Sequence, residues 1–176
     1  METPGPRPAG DVRTAFARLY DSCADRIHHY LVVQLGSRAD ADDVLQETFL
    51  RLVRERGRLD SVENPVAYAF AVARNESLRF LEQRSRKRGL PTHLAASDLF
   101  REAARDQGET RETAEWVAAA LARLEPALRE LVELKIYGGL TIREIGEVTG
   151  LPQGTVATRY RKALDVMRSR MAKECR

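Results

Sequence analysis

The 176 residues carry 29 Lys and Arg against 26 Asp and Glu, a formal net charge of +3, and only 6% aromatic residues. That length fits one ordinary domain or two small helical ones, and the abundance of Ala, Leu, Arg and Glu is a helix former's composition, not a β-sandwich's. No apolar run approaches the roughly 20 residues that span a bilayer, no signal-peptide core is present, and Cys23 and Cys175 lie too far apart to form a CxxC pair, so the expectation is a reduced, cytoplasmic protein without membrane insertion.

Residues 1–10 are rich in Pro and Gly and are expected as a disordered tail. Val12, Phe16, Leu19, Tyr20, Cys23, Ile27, Tyr30 and Leu31 then follow an i, i+3, i+4 rhythm, with Asp11 as the expected N-cap and Gly36 as the stop. A second helix is expected from Asp40, with the stripe Leu45, Phe49, Leu52 and Val53 and an end at Gly57. A third has Asn64 as N-cap and Pro65 at its first position, and runs to about Arg86. Residues 89–110 hold Gly89, Pro91 and Gly108 and are more acidic than their neighbours. They read as a linker with one short helix between Leu94 and Ala104.

Periodicity returns with Trp116, Val117, Ala120, Leu121 and Leu124, then with Leu128, Leu131, Leu134 and Tyr137 in a helix beginning near Pro126. The expected fold is all-α: two small helical domains, 11–88 and 111–176, on a flexible tether. Within the second, Thr141-Ile142-Arg143-Glu144 is a T-x-x-E capping box opening a short helix that buries Ile142, Ile145 and Val148 and closes at Gly150. After the turn Leu151-Pro152-Gln153-Gly154, Thr155 is expected to open a long helix with the apolar stripe Val156, Tyr160, Ala163, Leu164, Met167 and Met171. Its other face carries Thr155, Thr158, Arg159, Arg161 and Lys162. A short helix, a tight turn and a longer helix whose leading face is polar and basic form a helix-turn-helix, whose second helix enters a major groove. Later cations such as Arg168 and Arg170 suit phosphates or solvent.

The stretch Leu140 to Arg159, with its Pro152-Gln153-Gly154-Thr155-Val156 turn, resembles region 4 of the extracytoplasmic-function (ECF) subfamily of bacterial sigma-70-type RNA polymerase sigma factors. The resemblance implies that this helix reads the −35 promoter element through Thr155, Ala157, Thr158, Arg159, Arg161 and Lys162. Ala157 departs from the family, where a polar or basic residue is commoner.

In the first half, Asp40-Ala41-Asp42-Asp43-Val44-Leu45-Gln46-Glu47-Thr48-Phe49-Leu50 resembles sigma region 2.2. That resemblance implies docking on the clamp coiled coil of core RNA polymerase through Asp42, Asp43, Gln46, Glu47 and Leu50. Spacing alone places the four polar residues on one acidic, hydrogen-bonding face suited to a basic partner. Asn64-Pro65 with Tyr68-Ala69-Phe70-Ala71-Val72-Ala73-Arg74-Asn75 resembles regions 2.3–2.4, with Tyr68 where the family usually has Trp and Arg79 where it often has Asp. It implies contact with the −10 element through Arg58, Leu59, Asn64, Arg74, Asn75 and Arg79, with Leu59, Asn64 and Asn75 around an extruded base. The segment is basic in its own right, with Arg74, Arg79, Arg84, Arg86, Lys87 and Arg88 against Glu76 and Glu82.

The implied function is an alternative sigma factor, not an enzyme, with core polymerase and promoter DNA as partners and with family members often held by an anti-sigma factor. The competing reading is a stand-alone helix-turn-helix transcriptional regulator, which would bind duplex DNA without polymerase. No cofactor is implied. Cys23 with His28 and His29 makes a poor metal site, because adjacent helical residues point about 100° apart.

Overall fold

The structure, a computed structural model, describes residues 9–59, 61–88, 119–121 and 123–174, with side chains from 15 to 86 and from 119 to 169 within those stretches. The tail, the linker with its expected helix, Trp116, Val117, Arg170, Met171 and Cys175 lie outside the described backbone or side chains.

Helix α1 spans Ala9–Leu35 and Gly36 stops it at φ 67°, its amide bonded to the Val32 carbonyl at 2.9 Å. The expected cap Asp11 falls inside the helix. Helix α2 spans Arg38–Arg54, two residues earlier than the sequence suggested, because the Ser37 hydroxyl accepts the Asp40 amide and supplies the N-cap. Asp40 sits in its first turn and receives Arg84 at 2.8 Å. Gly57 does not end α2; it lies in the single-turn helix α3, Arg56–Leu59. Helix α4 spans Pro65–Arg88, and Asn64 Oδ1 caps it by accepting the Ala67 amide at 3.0 Å.

The helices α1, α2 and α4 pack on one another around Ile27, Tyr30, Leu31, Leu52, Ala69, Phe70 and Ala73, all fully buried. On α2 the buried face is Ala41, Val44, Thr48, Phe49 and Leu52, which keeps strict i, i+3, i+4 spacing. Thr48 takes an apolar position because its hydroxyl donates to the Val44 carbonyl at 2.7 Å. Val53, assigned to this stripe from the sequence, is 49% exposed because it lies 100° round the helix from Leu52.

Helix α5, Pro126–Ile136, starts on proline as expected; α6 covers Ile142–Thr149 and α7 covers Gln153–Glu174. Ala120, Leu121, Leu124, Leu128, Val132, Tyr137, Ala163 and Met167 form a second core into which Val33 of α1 also fits. Conversely, Leu131, Leu134, Leu140, Ile145, Val148 and Val156 belong to the core of α1, α2 and α4. The two bundles therefore lie against each other, with α6 on α4. Gly138 permits this approach: a Cβ there would stand 2.5 Å from the Leu134 carbonyl oxygen and 3.1 Å from Phe70 Cε1. Arg26 spans the same junction, its Nε donating to the Gly138 carbonyl at 2.8 Å and its guanidinium 5.6 Å from the Phe70 ring centre.

Candidate nucleic-acid interface and docking face

The Thr141 capping box is complete. The Glu144 amide donates to Thr141 Oγ1 at 3.2 Å, and the Thr141 amide donates to Glu144 Oε2 at 2.7 Å. Burial raises the Glu144 carboxyl, but bonds from Thr141 and Asn64 outweigh it and hold the pKa below the usual range, so the cap is ionised. Ile145 and Val148 are buried, Ile142 is half-buried, and Gly150 closes α6 in the left-handed conformation at φ 73°. Gly146 is buried where a Cβ would come within 2.9 Å of the Leu151 carbonyl oxygen, so the following turn folds tightly over α6. The turn is shorter than expected: α7 begins at Gln153, not Thr155, because the Pro152 carbonyl accepts both the Thr155 amide and the Val156 amide.

Val156, Ala163 and Met167 anchor α7 on its inner face, with Tyr160 and Leu164 half-buried beside them. Thr155 and Ala157 are half-buried at the rim, while Thr158, Arg159, Arg161 and Lys162 are exposed. Arg161 Nε reaches only the Ala157 carbonyl, at 3.4 Å. Among the described residues, Arg159, Arg161 and Lys162 form no ion pair. An open groove along this face is lined by Thr158, Arg161, Lys162, Asp165, Val166 and Ser169. Unpaired cations beside small hydroxyls on the leading turns of the second helix can contact phosphates and base edges.

The basic segment of α4 is differently placed. Arg74 forks onto Glu130, Nε to Oε1 at 2.7 Å and Nη2 to Oε2 at 3.1 Å, and this carboxylate raises its pKa. Arg79 binds Glu76 at 2.9 Å, and Glu76 also receives Arg51 at 2.6 Å. Arg58 and Asn75 are exposed, whereas the Leu59 side chain is in the core. Asn64 donates from Nδ2 to Glu144 at 3.2 Å. Tyr68 donates to Glu55 at 2.7 Å.

On α2, Asp42, Asp43, Gln46, Glu47 and Leu50 are all exposed along one side. Asp42 lies 2.9 Å from His28 Nε2 and keeps most of its carboxylate in solvent. Leu50, Val53 and Tyr20 are 41%, 49% and 45% exposed, and the Tyr20 ring packs on Phe49 at 4.6 Å between ring centres, tilted by 55°. Exposed Tyr20 and Val53 were missed from the sequence, where both fit an apolar stripe. The carboxylates opposite Arg74 and Asn64 were also missed, since they come from a distant part of the chain.

Cys23 is buried, with its thiol donating to the Leu19 carbonyl at 3.0 Å and pushed up to about 11 by burial, so it is a packing residue. No group of His, Cys, Asp and Glu that could hold a metal ion occurs among the described residues, and no helix there is long and apolar enough to cross a membrane.

An exposed acidic, partly apolar face on α2 and a helix-turn-helix whose cations are unpaired among the described residues are features that suit a protein which meets both DNA and a protein partner. The Sigma-70 region 2 family matches residues 19–87, and the Sigma-70 region 4 family matches residues 114–167. The ECF RNA polymerase sigma factor RpoE of Cereibacter sphaeroides is 30% identical over 159 residues, covering 90% of this chain and 87% of that protein. The ECF sigma factor SigK of Mycobacterium bovis is 28% identical over 170 residues, covering 93% and 89%. Among solved structures, the sigma factor RpoE in complex with the anti-sigma factor NepR from Bartonella quintana superposes with a TM-score of 0.65 at 15% identity, covering 92% of this chain and 96% of that one. CnrH in complex with the cytosolic domain of CnrY gives 0.60 at 21% identity, covering 92% and 90%. The chain belongs to the ECF family of RNA polymerase sigma factors. It is a transcription initiation factor, not an enzyme; its partners are core polymerase and promoter DNA, and the stand-alone regulator is set aside.

Proposed function

We propose that the chain works in the cytoplasm as a bipartite promoter reader, with residues 11–88 serving core polymerase and the −10 element, 89–110 as linker and 111–176 serving the −35 element. Thr155, Ala157, Thr158, Arg159, Arg161 and Lys162 on α7 contact the −35 duplex. Arg58, Asn64, Arg74, Asn75 and Arg79 engage and help melt the −10 element, while Leu59, buried in the core, anchors the segment that carries Arg58. Asp42, Asp43, Gln46, Glu47 and Leu50 dock on the clamp coiled coil, with Val53 and Tyr20 extending the apolar part of that contact. Linking two modest DNA contacts on one chain raises the effective concentration of the second once the first is made. An anti-sigma factor is the expected regulator, by analogy with the complexed relatives.

The observation that carries this reading is the separation of charge: an exposed acidic and apolar side on α2, and unpaired cations on α7. The test is reconstituted transcription with core polymerase on a pool of promoter fragments. Wild type directs initiation from a defined subset, Asp43→Arg loses core association while keeping duplex binding, and Arg161→Ala keeps core association while losing −35 selectivity. Wild type that neither binds core nor directs initiation would overturn the reading.

A further inference from the structure

One guanidinium joins two separate parts of the surface assigned above to the −10 element. Arg51 of α2 donates from Nε to Glu55 Oε1 at 2.9 Å and from Nη1 to Glu76 Oε1 at 2.6 Å. Glu55 is the C-cap of α2, and its carbonyl accepts the Arg58 and Leu59 amides at 2.9 and 3.1 Å, so the same residue starts α3, the turn that carries Arg58. Its other carboxylate oxygen accepts the Tyr68 hydroxyl of α4 at 2.7 Å. Bonds from Tyr68 and Arg51 hold the Glu55 carboxyl below its usual range, so it is ionised. Glu76 of α4 uses the oxygen that meets Arg51 to accept Arg79 Nη1 as well, at 2.9 Å.

Exposure orders these side chains. Glu76 is the inner member at 17%, Arg51 lies between at 34%, and Arg79 is outermost at 56%, with one N–H engaged. A guanidinium is a planar array of five donors, so Arg79 keeps others for base edges or phosphates, and Arg51 can serve two carboxylates at once. Arg51 and Arg79 balance Glu55 and Glu76, so the assembly adds no net charge to draw in phosphate. Half-exposed pairs of this kind also contribute little to stability. What the assembly supplies is placement.

We propose that Arg51 is a positioning residue for −10 recognition: through Glu55 it fixes the turn bearing Arg58, and through Glu76 it fixes Arg79, so that two cations from different elements meet the strand in one preset arrangement. The proposal rests on the −10 role given above to Arg58 and Arg79. Arg51 touches no base; it acts through the two carboxylates. Cations held in advance lose less side-chain freedom on binding and keep their donors in register, so the gain appears in discrimination between −10 sequences.

The experiment uses the full chain with core polymerase and the promoter fragment that wild type selects most strongly from the fragment pool, beside copies with single −10 base pairs exchanged. The ratio of initiation from the parent to initiation from the copies measures −10 discrimination. Core association and duplex binding are measured alongside, and circular dichroism confirms folding. Arg51→Gln is expected to lower the ratio about fivefold to tenfold, with core association and duplex binding within about twofold of wild type. Arg51→Lys keeps the charge but cannot fork onto two carboxylates, and should lose most of the ratio too. Glu76→Gln weakens the Arg79 arm alone and should lower the ratio about threefold; it carries the test if Arg51→Gln does not fold. Arg54→Gln, the same charge change at an exposed position in the last turn of α2, should leave the ratio unchanged. In a chain already carrying Arg58→Ala and Arg79→Ala, adding Arg51→Gln should change it by less than about twofold. An unchanged ratio in folded Arg51→Gln or Glu76→Gln, full rescue by Arg51→Lys, or an equal loss in Arg54→Gln overturns the positioning role. So does an undiminished effect in the Arg58→Ala, Arg79→Ala background, or a loss of core association as large as the loss of discrimination. If Arg58→Ala and Arg79→Ala together leave the ratio at its wild-type value, the −10 role of those cations has itself failed, whatever Arg51→Gln does.

Discussion

Two helices of this protein carry similar runs of cations, and they are in opposite electrostatic states. On α4, Arg74, Arg79 and Arg84 each face a carboxylate, from Glu130, Glu76 and Asp40 respectively. On α7, Arg159, Arg161 and Lys162 stand on an exposed face with no carboxylate paired to them among the described residues. A phosphate meeting α7 displaces only counterions and water, whereas one meeting Arg74 must displace a bidentate carboxylate. The potential a partner meets thus depends on which cations the fold has already paired.

The largest test of this difference removes the free cations together. Arg159→Ala, Arg161→Ala and Lys162→Ala combined should weaken binding to a mixed-sequence duplex by roughly a hundredfold and make the log–log salt dependence shallower by about 2.7. A titration across salt concentrations measures both; an unchanged slope would break the contrast.

A second test concerns the two glutamates on α5. Glu130 is paired with Arg74, while Glu133 is fully buried against Gln34, and burial pushes its pKa up to about 8, with Arg129 opposing and Glu130 adding to the shift. The folded state therefore holds a proton that the unfolded chain releases near the ordinary glutamate pKa. This contribution is fully present below about pH 4.5 and is lost as pH rises toward about 8. Glu133→Gln should match wild type at the acidic end of that window and be more stable near pH 8, by on the order of 4 kcal/mol if the whole shift is expressed. Thermal melts across pH, taken as the difference between the two proteins, would reveal it.

Smaller effects complete the series. Thr141→Ala removes one half of the capping box and should cost about 1 kcal/mol in denaturant unfolding, with duplex binding weakened only through the loosened α6. Arg79→Ala breaks an exposed pair and should change stability by less than about 0.5 kcal/mol while leaving the duplex salt slope unaltered. A slope reduction as large as that for Arg161→Ala would erase the distinction between the two helices.

Much of the fold was legible because it is local. Asn64-Pro65 starts α4 by a cap and a preset φ, Thr141 and Glu144 start α6 by reciprocal bonds, and Gly150 ends it; each device works within four residues. The boundaries misread from sequence were also local competitions: Ser37 capped α2 ahead of Asp40, and the Pro152 carbonyl drew Gln153 and Gly154 into α7. The exposed polar residues of α2 and the exposed cations of α7 were named from sequence because a helix's period alone sets which residues share a face.

What the sequence by itself determined, then, is the set of helices, their faces and the family they compose. Tertiary structure decided which charges remain available and how the halves meet. It buried Leu59 and Glu133, left Val53 and Tyr20 exposed, and brought Glu130 to Arg74 and Gly138 to Arg26. The reason is distance along the chain. Periodicity reports only neighbours within a few turns, and the partners that neutralise Arg74 and support Arg26 come from 56 and 112 residues away, where only packing can select them.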